Sequence, residues 1–438
     1  MESRSIKEYL FNIVFFVSII FLGFILGMAT MEFRFWPYPV FKEAYQAAKA
    51  WDERLTGRSR YNTSLYHHTT YTKTGVLRYN QKKAYDGLTL FTSGHGQQAF
   101  LLSMAGQIVH EWHLPFSKVG WNHIKFPLTD DFIWWRNIYL YPNGDLLAVY
   151  EAEGDTPFGY GLIKIDKDSH LIWKYAERVH HDVNVGSDGK IYTLIHHIVT
   201  TKIPGLKVEP PFLEDSIVIL SPEGQELKRV SISKLFVNSG FSNFEFVPVH
   251  PIKGDLWHTN NIEILDEPVA TQFPTLEKGE ILISLKHIDS LVVVDLNKEQ
   301  IVSIIRGEWR GQHDPDFLSN GNILLFDNLG HYGKGGGSQI IEVNPVSREV
   351  VWRYVGNEKD IFFSKIRSVQ QRLPNGNTLI TSSDQGRIFE VTPEQEIVWE
   401  FITPFRAPHD NQLTAVVCGG ERFQSSSLHF KFNRLAQN

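Results

Sequence analysis

A repeat constrains the fold of this chain more than any other feature of it. Six segments lie over one another: AFLLSMAGQIVHEW from Ala99, GLIKIDKDSHLIWKY from Gly161, SIVILSPEGQELKRV from Ser216, SLVVVDLNKEQIVSII from Ser290, QIIEVNPVSREVVWRY from Gln339 and RIFEVTPEQEIVWEF from Arg387. Each is a β-rich run, a polar turn and a second β-rich run, the pattern of a hairpin. Before most of them stands another hairpin with glycine near its turn, as in YPNGDLLAVY, GSDGKIYTL, LSNGNILLF and LPNGNTLIT. Two hairpins make four strands. Six such units, with no helical period between them, predict an all-β chain folded as a six-bladed β-propeller, because radial repetition leaves few sheet edges exposed. The repeats are clearest over residues 87–405. Seven blades stay open if residues 70–80 and the tail 425–435 pair into another sheet. Uneven spacing puts long loops at residues 200–215 and 231–246.

The bulk of the chain agrees with a large packed body: 438 residues, 42% of them hydrophobic. A net charge of -6 with no basic stripe argues against a nucleic-acid partner. Cys418 is the only cysteine, so no disulfide can form within the chain.

Residues 1–31 read as a cytoplasmic N-terminus and a membrane anchor. From Leu10 to Met31 only Asn12, Ser18 and Thr30 are polar, and at ~1.5 Å per residue the run reaches roughly the 30 Å of a bilayer core. Its length favours an uncleaved signal anchor over a cleaved signal peptide, whose small-x-small site would be Gly27, Met28 and Ala29. Arg4 and Lys7 ahead of it favour a cytoplasmic N-terminus, leaving the rest on the periplasmic side. Residues 32–69 read as a juxtamembrane helix and linker, with Phe41, Ala44, Ala48, Trp51 and Leu55 forming a helical stripe. The propeller then takes residues 70–438.

Within the repeat, residues 311–328 read GQHDPDFLSNGNILLFDN and residues 181–194 read HDVNVGSDGKIYTL; in both, glycine follows histidine by eight residues. Arg136 and Ser368, beside Arg367, hold the same position in other units, and His258 in WHTNNIEIL starts a strand ahead of a longer turn. First strands of propeller blades line the central channel, so Arg136, His181, His258 and His313 are expected to converge on one of its mouths. A histidine before a turn is ordinarily structural, and His67, His110, His170 and His429 are read so. Three histidines at one repeat position point instead to chemistry. Asp314 fits a backbone cap or a partner that sets the tautomer of His313.

These segments, with the endings EVVWRY and EIVWEF, make residues 87–405 resemble the arylsulfotransferase family of bacterial propeller enzymes. The resemblance implies transfer of a sulfuryl group from an aryl sulfate to a phenolic acceptor through a sulfohistidine, with no cofactor. It matches His313 to the family's nucleophile, His258 and Asn260 to its His-x-Asn pair, and His181 to its earlier channel histidine. Lys286, followed by His287, stands where the family has arginine; it keeps the charge and loses the fork that grips two sulfate oxygens.

The chemistry is consistent with these residues. A neutral imidazole attacks sulfur while cations and donors hold the oxygens. His313 suits the attack, His258, Lys286 and Arg136 supply charge, Asn260 offers an amide donor, and His181 suits proton transfer. Two other readings stay open. One is a metal site of His181, His258 and His313 supported by Asp182 or Asp314. The other is a propeller that binds a ligand or partner without turning it over. GKGGGS at Gly333 lacks the helix and Lys-Ser/Thr ending of a nucleotide loop and reads as a surface loop.

Overall fold

The structure, a computed structural model, describes residues 6–33, 36, 38, 60–240 and 254–433. They belong to two compact units, Met1–Ser59 and Arg60–Asn438. In the first, Ile6–Phe33 is one α-helix, and Glu8–Thr30 within it is long and apolar enough to cross a membrane. The helix hides two of its own polar groups: the hydroxyls of Ser18 and Thr30 donate to the carbonyls of Val14 and Leu26, each at 2.8 Å. That removes a donor which hydrocarbon could not satisfy. The amphipathic helix expected within residues 41–55 lies outside the described residues.

The second unit is mostly strand. Its described residues form six sheets of four or five strands and one of three. Ile133–Leu140, Val179–Val185, Thr259–Ile264, His313–Phe317, Val369–Arg372 and Val417–Phe423 each form one edge of a sheet. Each of these inner strands touches the next in chain order, and the last touches the first. Five of the sheets take their four consecutive strands in order. In the sixth, Val417–Phe423 pairs with Leu88–Ser93, so the inner strand of the first repeat comes from the end of the chain, past residue 405 where the sequence repeat fades.

Burial follows from sheets packed face to face. Middle strands such as Leu146–Ala152 and Ile323–Asp327 are buried at every position, which is why they read as continuous apolar runs. An outermost strand such as Val350–Val355 alternates. The recurring tryptophan of these outer strands has a common use. Trp112, Trp173, Trp352 and Trp399 donate their indole N–H to the carbonyls of Gly144, Pro222, Pro393 and Met104, in each case a turn of the next sheet, at 2.9–3.1 Å. Lys228 does the same toward Leu296 at 2.6 Å. Burying a whole indole, as at Trp112 and Trp399, is worth ~3–5 kcal/mol against about 1 kcal/mol for the hydrogen bond. Packing therefore holds neighbouring sheets together, and the hydrogen bond selects the turn.

Three sequence expectations change. Residues 70–80 and the tail do not make a seventh four-stranded sheet: Gly75–Tyr79 adds a fifth strand beside Ile397–Ile402, and Phe430 packs on Trp112 and His110. Tyr66–His68, expected in the linker, pairs instead with Asp410–Ala415 in the small sheet. Parts of the two long loops are regular structure, since Phe212–Leu220 is strand and Ile232–Asn238 is a short helix capped by the Ser231 side chain.

Candidate active site

Five of the inner strands begin with a break in register. Pairing skips between Trp135 and Asn137, His180 and Val183, Thr259 and Ile262, His313 and Asp316, and Cys418 and Glu421. Bulges of this kind re-aim side chains. Next to three of them the backbone turns left-handed at residues that carry side chains, with φ 58° at His181, 47° at His258 and 52° at Asp314, and ahead of the unbulged strand Val369–Arg372 it does so at Arg367 (60°) and Ser368 (76°). Each costs ~1–3 kcal/mol and persists only where the surroundings enforce it. The sixth sheet places Gly419 there, with φ 63°, where glycine adds no strain. Equal spacing from a glycine thus does not give His181 and His313 one conformation; the left-handed residue is His181 in one strand and Asp314 in the other.

His313 is 2% exposed. Its Nδ1 lies 2.7 Å from Asn328 Oδ1 and 3.0 Å from the Gly311 carbonyl. The Asn328 amide nitrogen donates to the carbonyls of Ser364 and Arg367, at 2.9 and 3.1 Å. The Asn328 oxygen must then be an acceptor, which puts the proton on Nδ1 and the lone pair on Nε2. The Arg367 backbone N–H donates to that lone pair at 3.2 Å. Burial first, then the charges of Lys286 and Arg136, hold the imidazole well below its ordinary pKa. It is a neutral base at neutral pH.

The other expected residues gather nearby. The rings of His181 and His258 are 4.8 Å apart, and Phe158 lies 5.3 and 6.0 Å from them. Glu151 accepts the His181 backbone N–H at 2.7 Å and approaches Arg136 Nε at 3.9 Å. Burial and the neighbouring His258 hold the His181 imidazole well below its usual value. His258 Nδ1 is 2.6 Å from Asp255 Oδ2. Burial lowers Lys286 from 10.5 to about 8, with Asp255 opposing and Arg367 and Arg136 assisting. Asn260 is used differently from expectation. Its amide nitrogen donates to the Gln312 carbonyl at 2.8 Å, bracing the residue before His313.

Neither aspartate supports the histidines. Asp182 accepts the backbone N–H of Val183 and of Ile262 at 2.8 and 2.9 Å, and Asp314 accepts that of Gln370 at 2.8 Å. Both cap backbone of a neighbouring sheet, and Asn328 takes the orienting role considered for Asp314. Among the described residues, the sets able to share an ion are His180, His196 and Asp215; Asp255, His258 and His287; and Glu277, Glu280 and Asp295. His181, His258 and His313 are not such a set. His110, read as structural, accepts the Asn433 N–H at 2.9 Å and meets the Lys167 carbonyl at 2.8 Å.

Sequence reasoning missed Asn328, Asp255, Glu151 and Phe158. Asn328 closes the His313 stretch and Asp255 precedes His258 by three, so spacing alone could have marked them. Glu151 and Phe158 lie on a different strand and loop, with no local signal. Also missed was a cavity of about 400 Å³ farther along the inner strands, lined in part by Asp182, Glu263, Asp314, Asp316 and Glu421. Burial raises Glu421 to about 7; burial and then Asp182 raise Glu263 and Asp314 to about 8.

A family model described as Arylsulfotransferase (ASST) matches residues 138–404. The chain belongs to the arylsulfotransferase family. Membership implies arylsulfotransferase activity in general. The matched span includes His181, His258, Asn260, Lys286 and His313 and begins two residues after Arg136. No curated protein sequence matches the chain. Among solved structures it is similar to a protein of unknown function from Bacteroides caccae, at 15% identity and TM-score 0.48, over 77% of this chain and 100% of that one. It is also similar to a streptogramin B lyase, at 11% identity and TM-score 0.41, over 78% and 87% of the two chains, and to the Dos1 propeller, at 9% and 0.39, over 78% and 76%.

Proposed function

We propose that this arylsulfotransferase is a closed six-bladed propeller, held on the periplasmic face of a membrane by its N-terminal helix, that moves a sulfuryl group from an aryl sulfate to a phenol through a sulfohistidine on His313. Two observations support closure: the Val417–Phe423 pairing with Leu88–Ser93 and the Trp399 bond to Met104. The observation that carries the mechanism is the Asn328 contact, which leaves the lone pair of a neutral, buried imidazole on Nε2. In the first step Nε2 bonds to sulfur as the sulfur–oxygen bond to the aryl group breaks, and the electron pair leaves on the phenolate. Lys286 and Arg136 hold the sulfate oxygens, the Arg367 backbone N–H that meets Nε2 at rest turns from it to a sulfate oxygen as the bond forms, and Phe158 packs on the aryl ring.

His258 is the better proton carrier of the two remaining histidines. Asp255, 2.6 Å from its Nδ1, stabilises the imidazolium, whereas burial disfavours charge on His181. His258 gives its proton to the leaving phenolate and then takes one from the acceptor phenol. The test is phenol release from a chromogenic aryl sulfate, with and without a phenolic acceptor. Acceptor-dependent turnover supports transfer, and a ligand bound without release supports the non-catalytic reading.

The pH dependence is set by Lys286. Its pKa of about 8 means it is charged below that pH and neutral above it, so kcat/KM for an anionic donor should fall as pH rises through about 8. His313 should impose an acid limb only well below pH 6.5. Lys286→Arg stays charged and restores the fork, and it should remove the alkaline limb while keeping or raising activity. An alkaline limb that persists in the arginine variant would assign it to another group.

A further inference from the structure

Nothing in the proposed transfer uses the five carboxylates of the central cavity. Asp182 is fully engaged, by the backbone N–H of Val183 and Ile262 and by the amides of Asn137 and Asn261. The other four are not. Among the described residues, Glu263 takes one hydrogen bond to its carboxylate, from Asn184 at 2.6 Å. Asp314 takes one from the Gln370 N–H at 2.8 Å, and Asp316 one from the Gln370 amide at 2.9 Å. Burial alone perturbs Glu421, with no donor or cation opposing it. The arginine on the cavity wall, Arg372, is held by Glu342 at 2.7 Å.

A second observation concerns neutral groups. Asn261 and Gln370, 3% and 4% exposed, line the same cavity. Each directs its amide nitrogen to a carboxylate of the group, Asn261 to Asp182 and Gln370 to Asp316. Their buried amide oxygens are left without a donor. The polar groups around the carboxylates are therefore mostly acceptors, these two oxygens lying just behind the cavity surface. Glu263, Asp314, Asp316 and Glu421 gathered together, with at most one hydrogen bond each and the Arg136 charge opposing only part of the group, are unfavourable unless a cation joins them. Carboxylate and amide oxygens are the ligands of hard divalent ions, and about 400 Å³ leaves room for an ion that keeps part of its water shell.

We propose that this cavity binds a hydrated divalent cation of the calcium class, tying together the inner strands Thr259–Ile264, His313–Phe317, Val369–Arg372 and Val417–Phe423. The site is separate from the sulfuryl-transfer residues and stands whether or not that reaction does.

The test uses the full chain purified in detergent, stripped with EDTA and titrated with calcium chloride at constant ionic strength. The expected result is a rise of a few degrees in Tm by ~1 mM calcium, with one ion per chain in equilibrium dialysis against labelled calcium. Glu421→Gln combined with Glu263→Gln keeps the shape and removes two charges. That variant should melt at or above the wild-type temperature without calcium and lose the calcium-dependent rise. No bound calcium on the unaltered chain up to ~10 mM would overturn the proposal. So would a rise reproduced by sodium chloride at matched ionic strength, or one that persists in the double variant.

Discussion

Replacing His313 by alanine is expected to abolish aryl-sulfate turnover, by ~10⁴-fold or more, and with it the sulfuryl label that donor alone should leave on the wild-type chain. The wild-type enzyme should show ping-pong kinetics, because the group rests on the protein between donor and acceptor. The hydrogen bonds around His313 make the prediction more specific. Asn328→Leu removes the shorter of the two acceptors at Nδ1 and leaves the Gly311 carbonyl, so it should slow labelling by loosening the ring rather than by switching its tautomer, with less effect on donor binding. His258→Ala should slow transfer without preventing the label, since His258 moves protons and does not carry the sulfuryl group. If His313→Ala acquired the label at the wild-type rate, the nucleophile would lie elsewhere, and His181 would be tested next.

Ending the chain after residue 405 should leave no folded second unit. Val417–Phe423 is the inner strand of the first sheet, and removing it exposes the edge of Leu88–Ser93, a strand buried at every position. Its Arg422 bridges sheets, donating to Thr89 Oγ1 at 2.7 Å, to the Tyr85 carbonyl at 2.6 Å and to Glu390 at 3.3 Å, where both charged side chains are fully buried. Loss of that strand is expected to cost on the order of the ~5–15 kcal/mol that holds a domain together. Losing Arg422 alone, as Arg422→Ala, should cost ~3–5 kcal/mol by leaving Glu390 buried and unpaired. Thermal unfolding followed by circular dichroism separates these outcomes from a chain ending at residue 433. A cooperative transition near the full-length temperature in the chain ending at 405 would mean that the last strand does not close the ring.

The repeat made the four-stranded units legible because continuous apolar middle strands and turn glycines are written locally. The strand positions of the histidines were legible for the same reason: a residue at one repeat position recurs on equivalent strands. What spacing could not convey was where each bulge falls. His181 and His313 stand eight residues before their glycines, yet the left-handed residue is His181 in one strand and Asp314 in the other. That shift is why Asp314 caps Gln370 and the partner of His313 is Asn328, fifteen residues on.

By itself the sequence determined the β-rich repeating units, the apolar N-terminal helix, and which residue types the inner strands carry, since all of these depend on short-range pattern. Only the tertiary structure decided that the strand after residue 416 completes the first sheet, that Glu151 reaches the His181 backbone, and that carboxylates from four inner strands meet in one cavity. Those are contacts between residues tens to hundreds of positions apart or across a bulge, and no local period records them. Lys286 belongs to both accounts: its identity is written in the chain, but its pKa of about 8 arises from burial beside other cations, which only the folded chain supplies.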